Sequence, residues 1–152
     1  MEPAFSRLPT LPSWLLSQVA QQAGRLVSDG FAAVGARGYH YRLLGALAEA
    51  GPSSQAELGR RSGIHLSDVV AALNELEADG HVRRRPDPSD KRRNVVTLTA
   101  AGTKRLAALE DRVAEVQDEI LAPLDAAERE QFVALLRRLR AHHSKRDVSP
   151  AP

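Results

Sequence analysis

The chain has 152 residues, enough for one domain with an attached helical element, and only 4% of them are aromatic. Ala and Leu therefore carry the apolar set, which points to helix packing and away from a β-sandwich. The formal net charge is only +2, so any nucleic-acid reading must rest on where the cations sit. The lack of cysteine excludes disulfides, thiolate metal sites and thiol redox sensing.

No apolar run reaches the roughly 20 residues that span a bilayer. Residues 1–12 hold three prolines and no apolar signal region, so no signal peptide is expected and the reading is of a cytoplasmic protein. A first helix is predicted after Pro12, with Ser13 as its cap. Leu15, Val19, Leu26 and Val27 recur near helical spacing and are expected to form a buried stripe. The glycines between Gly30 and Gly38 predict fraying or a bend. A second helix runs from Tyr39 to Ala50, where Gly51 and Pro52 stop it. A third opens at Ser54, which stands at capping-box spacing from Glu57, and it closes at Gly63. A fourth runs from Leu66 to Asp79, with Val69, Val70, Leu73 and Leu76 inward and Gly80 as its stop. The third helix, the turn at Gly63 and the fourth helix read as a helix-turn-helix, a pattern shared with any three-helix bundle with short loops.

The next segment tilts that balance toward DNA binding. His81–Arg85 predicts a strand, residues 86–90 a turn cluster, and Asn94–Leu98 a second, β-branched strand: a hairpin, or wing, attached to the helix-turn-helix. Thr99 caps a long fifth helix whose Leu106, Leu109, Val113, Val116 and Ile120 make a narrow apolar seam ending before Pro123. Asp125, with Glu128 behind it, caps a sixth helix striped by Phe132, Leu135, Leu136 and Leu139. The seam is expected to be buried against a second copy. The other reading is that the first, fifth and sixth helices complete one monomeric core. The polar segment 144–152 reads as a disordered tail.

The hairpin gathers Arg83, Arg84, Arg85, Lys91, Arg92 and Arg93 against Asp87 and Asp90. Cations near phosphates release condensed counterions, and a slim arginine tip fits a narrow minor groove. Asp90, two residues before Arg92, is read as a brace that holds this side chain in place. A merely solvated charged loop would leave its position directly after a helix-turn-helix unexplained.

From Leu11 to His143 the chain resembles the MarR family of bacterial transcription regulators. The most specific stretch is Asp87, Pro88, Ser89, Asp90, Lys91, Arg92, Arg93, Asn94, Val95 and Val96, followed by Thr97, Leu98, Thr99 and Gly102. Gly51-Pro52, Gln55 to Leu58, Leu76, Glu77 and Gly80 match as well. The resemblance implies a mostly α fold with a small β-hairpin wing: a winged helix-turn-helix domain plus a helical dimerisation region, six helices in all. It implies a homodimer on a palindromic double-stranded DNA operator, acting as a repressor and released by a small aromatic or phenolic effector. Residues 1–36 and 101–143 would be the dimerisation helices and 37–100 the DNA-binding lobe.

Carried over by position, Arg92 would enter the minor groove, with Lys91 and Arg93 beside it on the DNA backbone, and Arg84 is counted among the DNA-binding residues. Ser54 and Gln55 would meet phosphate through backbone N–H groups at a helix start. His65, Ser67, Asp68 and Ala71 would face the major groove. Ala71 stands where many members carry an arginine, so the usual arginine–guanine contact is missing. Asp68 could accept from a cytosine amino group or simply favour the helix start. Trp14, His40, Tyr41 and Arg42, with Tyr39 beside them, would reach an effector pocket, or else merely pack.

No phosphate-cradling glycine loop, nucleophile elbow or metal-ligand histidine spacing is present, so neither an enzyme nor a metal or cofactor is expected. The alternative is a winged-helix protein-interaction module without specific DNA binding. Such modules usually lose basic charge from the wing, which this chain keeps.

Overall fold

The computed structural model describes residues 4–145. After a 3-10 turn at Ala4–Thr10 come α1 (Pro12–Ala32), α2 (Gly38–Ala50), β1 (Ser53–Ser54), α3 (Gln55–Ser62), α4 (Leu66–Ala78), β2 (Val82–Pro86), β3 (Asn94–Leu98), α5 (Ala100–Ile120) and α6 (Ala126–Ser144). The chain falls into two compact units that divide within α5, after Val116.

The first unit is built around one core. Leu43, Leu44 and Leu47 of α2 meet Leu58 of α3, Val69, Ala72, Leu73 and Leu76 of α4, and Val82 and Val96 of the hairpin. Val70, expected inward, is only half-buried; Ala72 takes the inner place. The sheet has the antiparallel order β1-β3-β2, with Val82 opposite Leu98 and Pro86 opposite Asn94. The hairpin begins at Val82 and not at His81, whose N–H returns to the Leu76 carbonyl and ends α4. Strand β1 escaped the sequence reading because two residues are too few to show alternation; Ser53 pairs with Val96.

Helix α1 departs from expectation at its start and along its length. Proline opens it at the first helical position, where a missing N–H costs nothing, and no side chain caps it, so Ser13 is not the cap. Its apolar stripe is only partly covered: Leu15 and Val19 are 44% and 46% exposed, whereas Leu26 is half-buried and Val27 packs against the core. Only Gly30 and Phe31 are buried. A Cβ on Gly30 would lie 2.5 Å from the Val116 side chain, so glycine is what lets α1 and α5 touch there.

Helix α5 starts where Thr99 Oγ1 accepts the Gly102 N–H at 3.0 Å. A Cβ on Gly102 would run into the His81 carbonyl oxygen and the Leu98 side chain, which explains the glycine of the Leu-Thr-x-x-Gly pattern. The seam expected to await a second copy is covered by the chain itself as far as Val116. Leu106 and Leu109 belong to the chain's own core, Val113 packs against it, and Val116 covers Gly30. Helical phase brings these residues under α5 onto the winged unit, which is large enough to cover them.

The second unit contains α6. Its start is a capping box: Asp125 Oδ1 accepts the Glu128 N–H at 2.9 Å, and the Asp125 N–H donates to Glu128 at 3.2 Å. No residue of α6 is buried, and Leu135 and Leu139 are 45% and 51% exposed. The helix runs through Ser144, one residue into the segment expected to be a tail. Of that segment, residues 146–152 lie outside the described residues.

Candidate nucleic-acid interface

Three elements of the first unit carry the expected contacts: the start of α3, the start of α4 and the hairpin. At α3, Ser54 Oγ accepts the Glu57 N–H at 3.2 Å while Glu57 Oε2 accepts the Ser54 N–H at 3.3 Å. The box leaves the first-turn N–H groups of Gln55 and Ala56 without helical acceptors. Gly63, at φ +65, closes α3 in the left-handed conformation and makes the turn tight. Arg42 donates to the Ser62 carbonyl and pins this turn to α2.

Helix α4 opens at His65 without a side-chain cap. His65, Ser67 and Ala71 are exposed, and Asp68 is half-buried in the first turn, where its charge favours the positive end of the helix. Leu66, not singled out in the sequence, is 54% exposed beside them. Helical phase alone would group it with Val69, Leu73 and Leu76; it is the first residue of α4 and is left outside the core there. This outward face carries no arginine or lysine.

The hairpin tip is stitched by its own carboxylates. Asp87 Oδ1 accepts both the Ser89 N–H at 2.9 Å and the Ser89 hydroxyl at 2.7 Å. These bonds, the backbone one first, hold the Asp87 carboxyl below its ordinary range. The Asp87 N–H donates to the Arg93 carbonyl at 2.8 Å, and the Arg93 N–H to the Asp90 carbonyl at 2.9 Å. Asp90 Oδ1 accepts the Arg92 N–H at 3.1 Å and lies 3.5 Å from Arg92 Nε. Asp90 thus grips the Arg92 backbone more closely than its guanidinium, and the Arg92 side chain remains 94% exposed. Lys91 and Arg93 are exposed beside it.

Arg84 is placed otherwise than expected. Its side chain is 18% exposed and donates to Asn74 Oδ1 at 2.6 Å, Glu77 Oε1 at 3.1 Å and Gln55 Oε1 at 3.4 Å. This guanidinium already has acceptors within the chain. The hydrogen bonds from Arg84, side chain before backbone, hold the Glu77 carboxyl below its ordinary range. Sequence reasoning missed Asn74 and Glu77 as its partners, because α4 and β2 meet only in the fold.

The expected effector residues stand in different surroundings. His40 is buried; its Nδ1 accepts the Arg37 N–H at 3.2 Å and its Nε2 lies 2.6 Å from Glu75 Oε2. Glu75 also takes Arg37 Nη2 at 2.9 Å, and its carboxyl is held low, first by the hydrogen bond to His40. Tyr41 packs on Phe31 with ring centroids 5.8 Å apart. Tyr41 and Arg42 line an open cleft of about 430 Å³ with Gly45, Glu49 and Arg61. Trp14, on the first turn of α1, is not part of it. Among the described residues no cluster of His, Asp or Glu is arranged to hold a metal ion, and no helix is long and apolar enough to cross a membrane.

Residues 35–93 match the model of the MarR family. The HTH-type transcriptional repressor NicR of Pseudomonas putida is 33% identical over 94 residues, 62% of this chain and 60% of that protein. The match thus spans only three-fifths of that relative's length. The transcriptional regulator HosA of Escherichia coli O111:H- is 35% identical over 99 residues, 65% of this chain and 73% of the relative. Among solved structures, the PcaV transcriptional regulator from Streptomyces coelicolor, in complex with its natural ligand, superposes with a TM-score of 0.70 and 30% identity. That match covers 88% of this chain and 94% of the other.

Proposed function

The chain belongs to the MarR family of winged helix-turn-helix proteins, and we propose that it is a repressor that binds a palindromic DNA operator as a homodimer. The observation that carries the reading is the wing: a hairpin whose turn is fixed by Asp87 and Asp90 while the Arg92 side chain stands 94% exposed at its tip. A fixed backbone under a free cation suits a narrow groove of high negative potential. Asp90 acts as a positioning residue for Arg92 through its grip on the backbone.

The start of α4 supplies the second contact. With Ala71 outward it offers a methyl group and not a guanidinium, so the wing carries more of the affinity than it would beside a basic helix. Residues 37–100 form the DNA-binding lobe. The apolar residues exposed on α1 and on α6 support pairing with a second copy, and two-fold symmetry sets half-sites about one helical turn, roughly 10 base pairs, apart. The name of the P. putida repressor supports repression, and the ligand in the S. coelicolor structure supports release by a small molecule. Such a regulator would work in the cytoplasm.

The test is selection of bound fragments from the source genome, followed by titration across salt concentrations. Affinity should fall steeply with salt. Arg92→Ala should weaken operator binding by about 1–3 kcal/mol, read by fluorescence anisotropy. Unchanged affinity in that variant removes the wing from the interface. Absence of any duplex binding at low salt favours the protein-interaction module instead.

A further inference from the structure

We propose that Arg84 is a positioning residue that fixes the wing to the recognition helix α4 and to the start of α3, and that it acts on DNA binding without touching phosphate. The inference rests on the DNA-binding reading above.

Strand β2 is an outer strand of the sheet, with β3 on its only paired side. An outer strand leaves backbone N–H groups without ladder partners. At Arg84 that N–H donates to Glu77 Oε2 at 2.8 Å. The other oxygen of the same carboxylate takes the Arg84 guanidinium at 3.1 Å. One carboxylate of α4 therefore closes on both the backbone and the side chain of one wing residue. The guanidinium reaches further, to Asn74 Oδ1 on α4 at 2.6 Å and to Gln55 Oε1 at the first position of α3 at 3.4 Å.

The planar fork of arginine is what makes this possible, since lysine presents a point charge and cannot span separated acceptors in fixed directions. The three elements that would face DNA thus meet at one side chain. Wing tip and α4 would read different grooves, so their relative placement must match the duplex. A side chain that sets this placement affects affinity as strongly as one that touches DNA. The 18% exposure of the Arg84 side chain sets it apart from Arg92, at 94%.

The two roles differ in salt dependence. Loss of a phosphate contact flattens the slope of log affinity against log salt by about 0.9, whereas loss of a positioning contact lowers affinity at unchanged slope. The experiment measures binding of the full-length chain to a selected operator duplex for the wild type, Arg84→Lys, which keeps the charge, Arg84→Gln, which removes it, Glu77→Gln, Asn74→Ala and the Arg84→Lys/Glu77→Gln double variant, well below each variant's melting temperature. Expected is a loss of about tenfold in Arg84→Lys and in Glu77→Gln. The slope stays at the wild-type value, and the double variant is no worse than the weaker-binding single one. Amide exchange at Arg84 in the DNA-free Glu77→Gln protein should be faster than in the wild type.

A flattened slope in Arg84→Gln with normal binding by Glu77→Gln overturns the proposal and returns Arg84 to the phosphates. Lowered melting temperatures with unimpaired affinity also overturn it, because they assign the cluster to stability alone. Wild-type protein that binds no duplex at low salt sinks the DNA-binding reading itself, and this inference with it. Wild-type binding with unimpaired Glu77→Gln and Asn74→Ala sinks this inference only.

Discussion

Helices α5 and α6 carry the same kind of apolar stripe, and the two stripes meet opposite fates. Leu106, Leu109 and Val116 of α5 are buried within the chain's own fold, whereas α6 buries nothing. Leu109 is fully buried and Leu139 is 51% exposed, although both stand at helical spacing from apolar neighbours. Periodicity states that a helix has one apolar face. It does not state what covers that face, which depends on the elements the rest of the chain brings alongside.

Substitutions put this contrast to the test. The largest effect is expected at Leu109→Ala, which empties a buried site and should lower unfolding free energy by about 2–5 kcal/mol at every protein concentration, by denaturant titration. Asp125→Ala removes the cap of α6 and should loosen its first turn, seen as weaker amide-exchange protection there. A smaller effect is expected from acid. The folded state holds the carboxyls of Glu75 and Glu77 below 4.5, so their ion pairs contribute fully above that pH. That contribution is lost as pH falls through the depressed values, and partial exposure keeps it modest. The smallest effect is expected at Leu139→Ala, within about 0.5 kcal/mol in dilute protein. Should its cost grow with protein concentration, a second copy covers α6. A cost equal to that of Leu109→Ala in dilute protein would erase the contrast.

The wing repeats the lesson with charge. Arg84 and Arg92 belong to one run of cations and look alike in the sequence. One is held by Glu77, Asn74 and Gln55, the other stands free at a turn that Asp90 stitches. The Asp90–Arg92 relation was legible because it spans two residues. The Arg84–Glu77 relation was not, because a strand and a helix must first pack before the two side chains meet.

The features legible from residue order are local ones. The capping boxes at Ser54 and Asp125, the left-handed stop at Gly63, the hairpin strand Asn94–Leu98 and the Thr99 cap follow from contacts within a few residues, and the structure has each of them. Packing between distant segments settled the rest. It set the two-residue strand β1 beside Val96, closed α5 onto its own core, left Leu15 and Val19 of α1 exposed and tied Arg84 away from solvent. The physical reason is range. Caps, turns and alternation are fixed by bonds between near neighbours, while burial and long-range ion pairs depend on which surfaces the folded chain brings together.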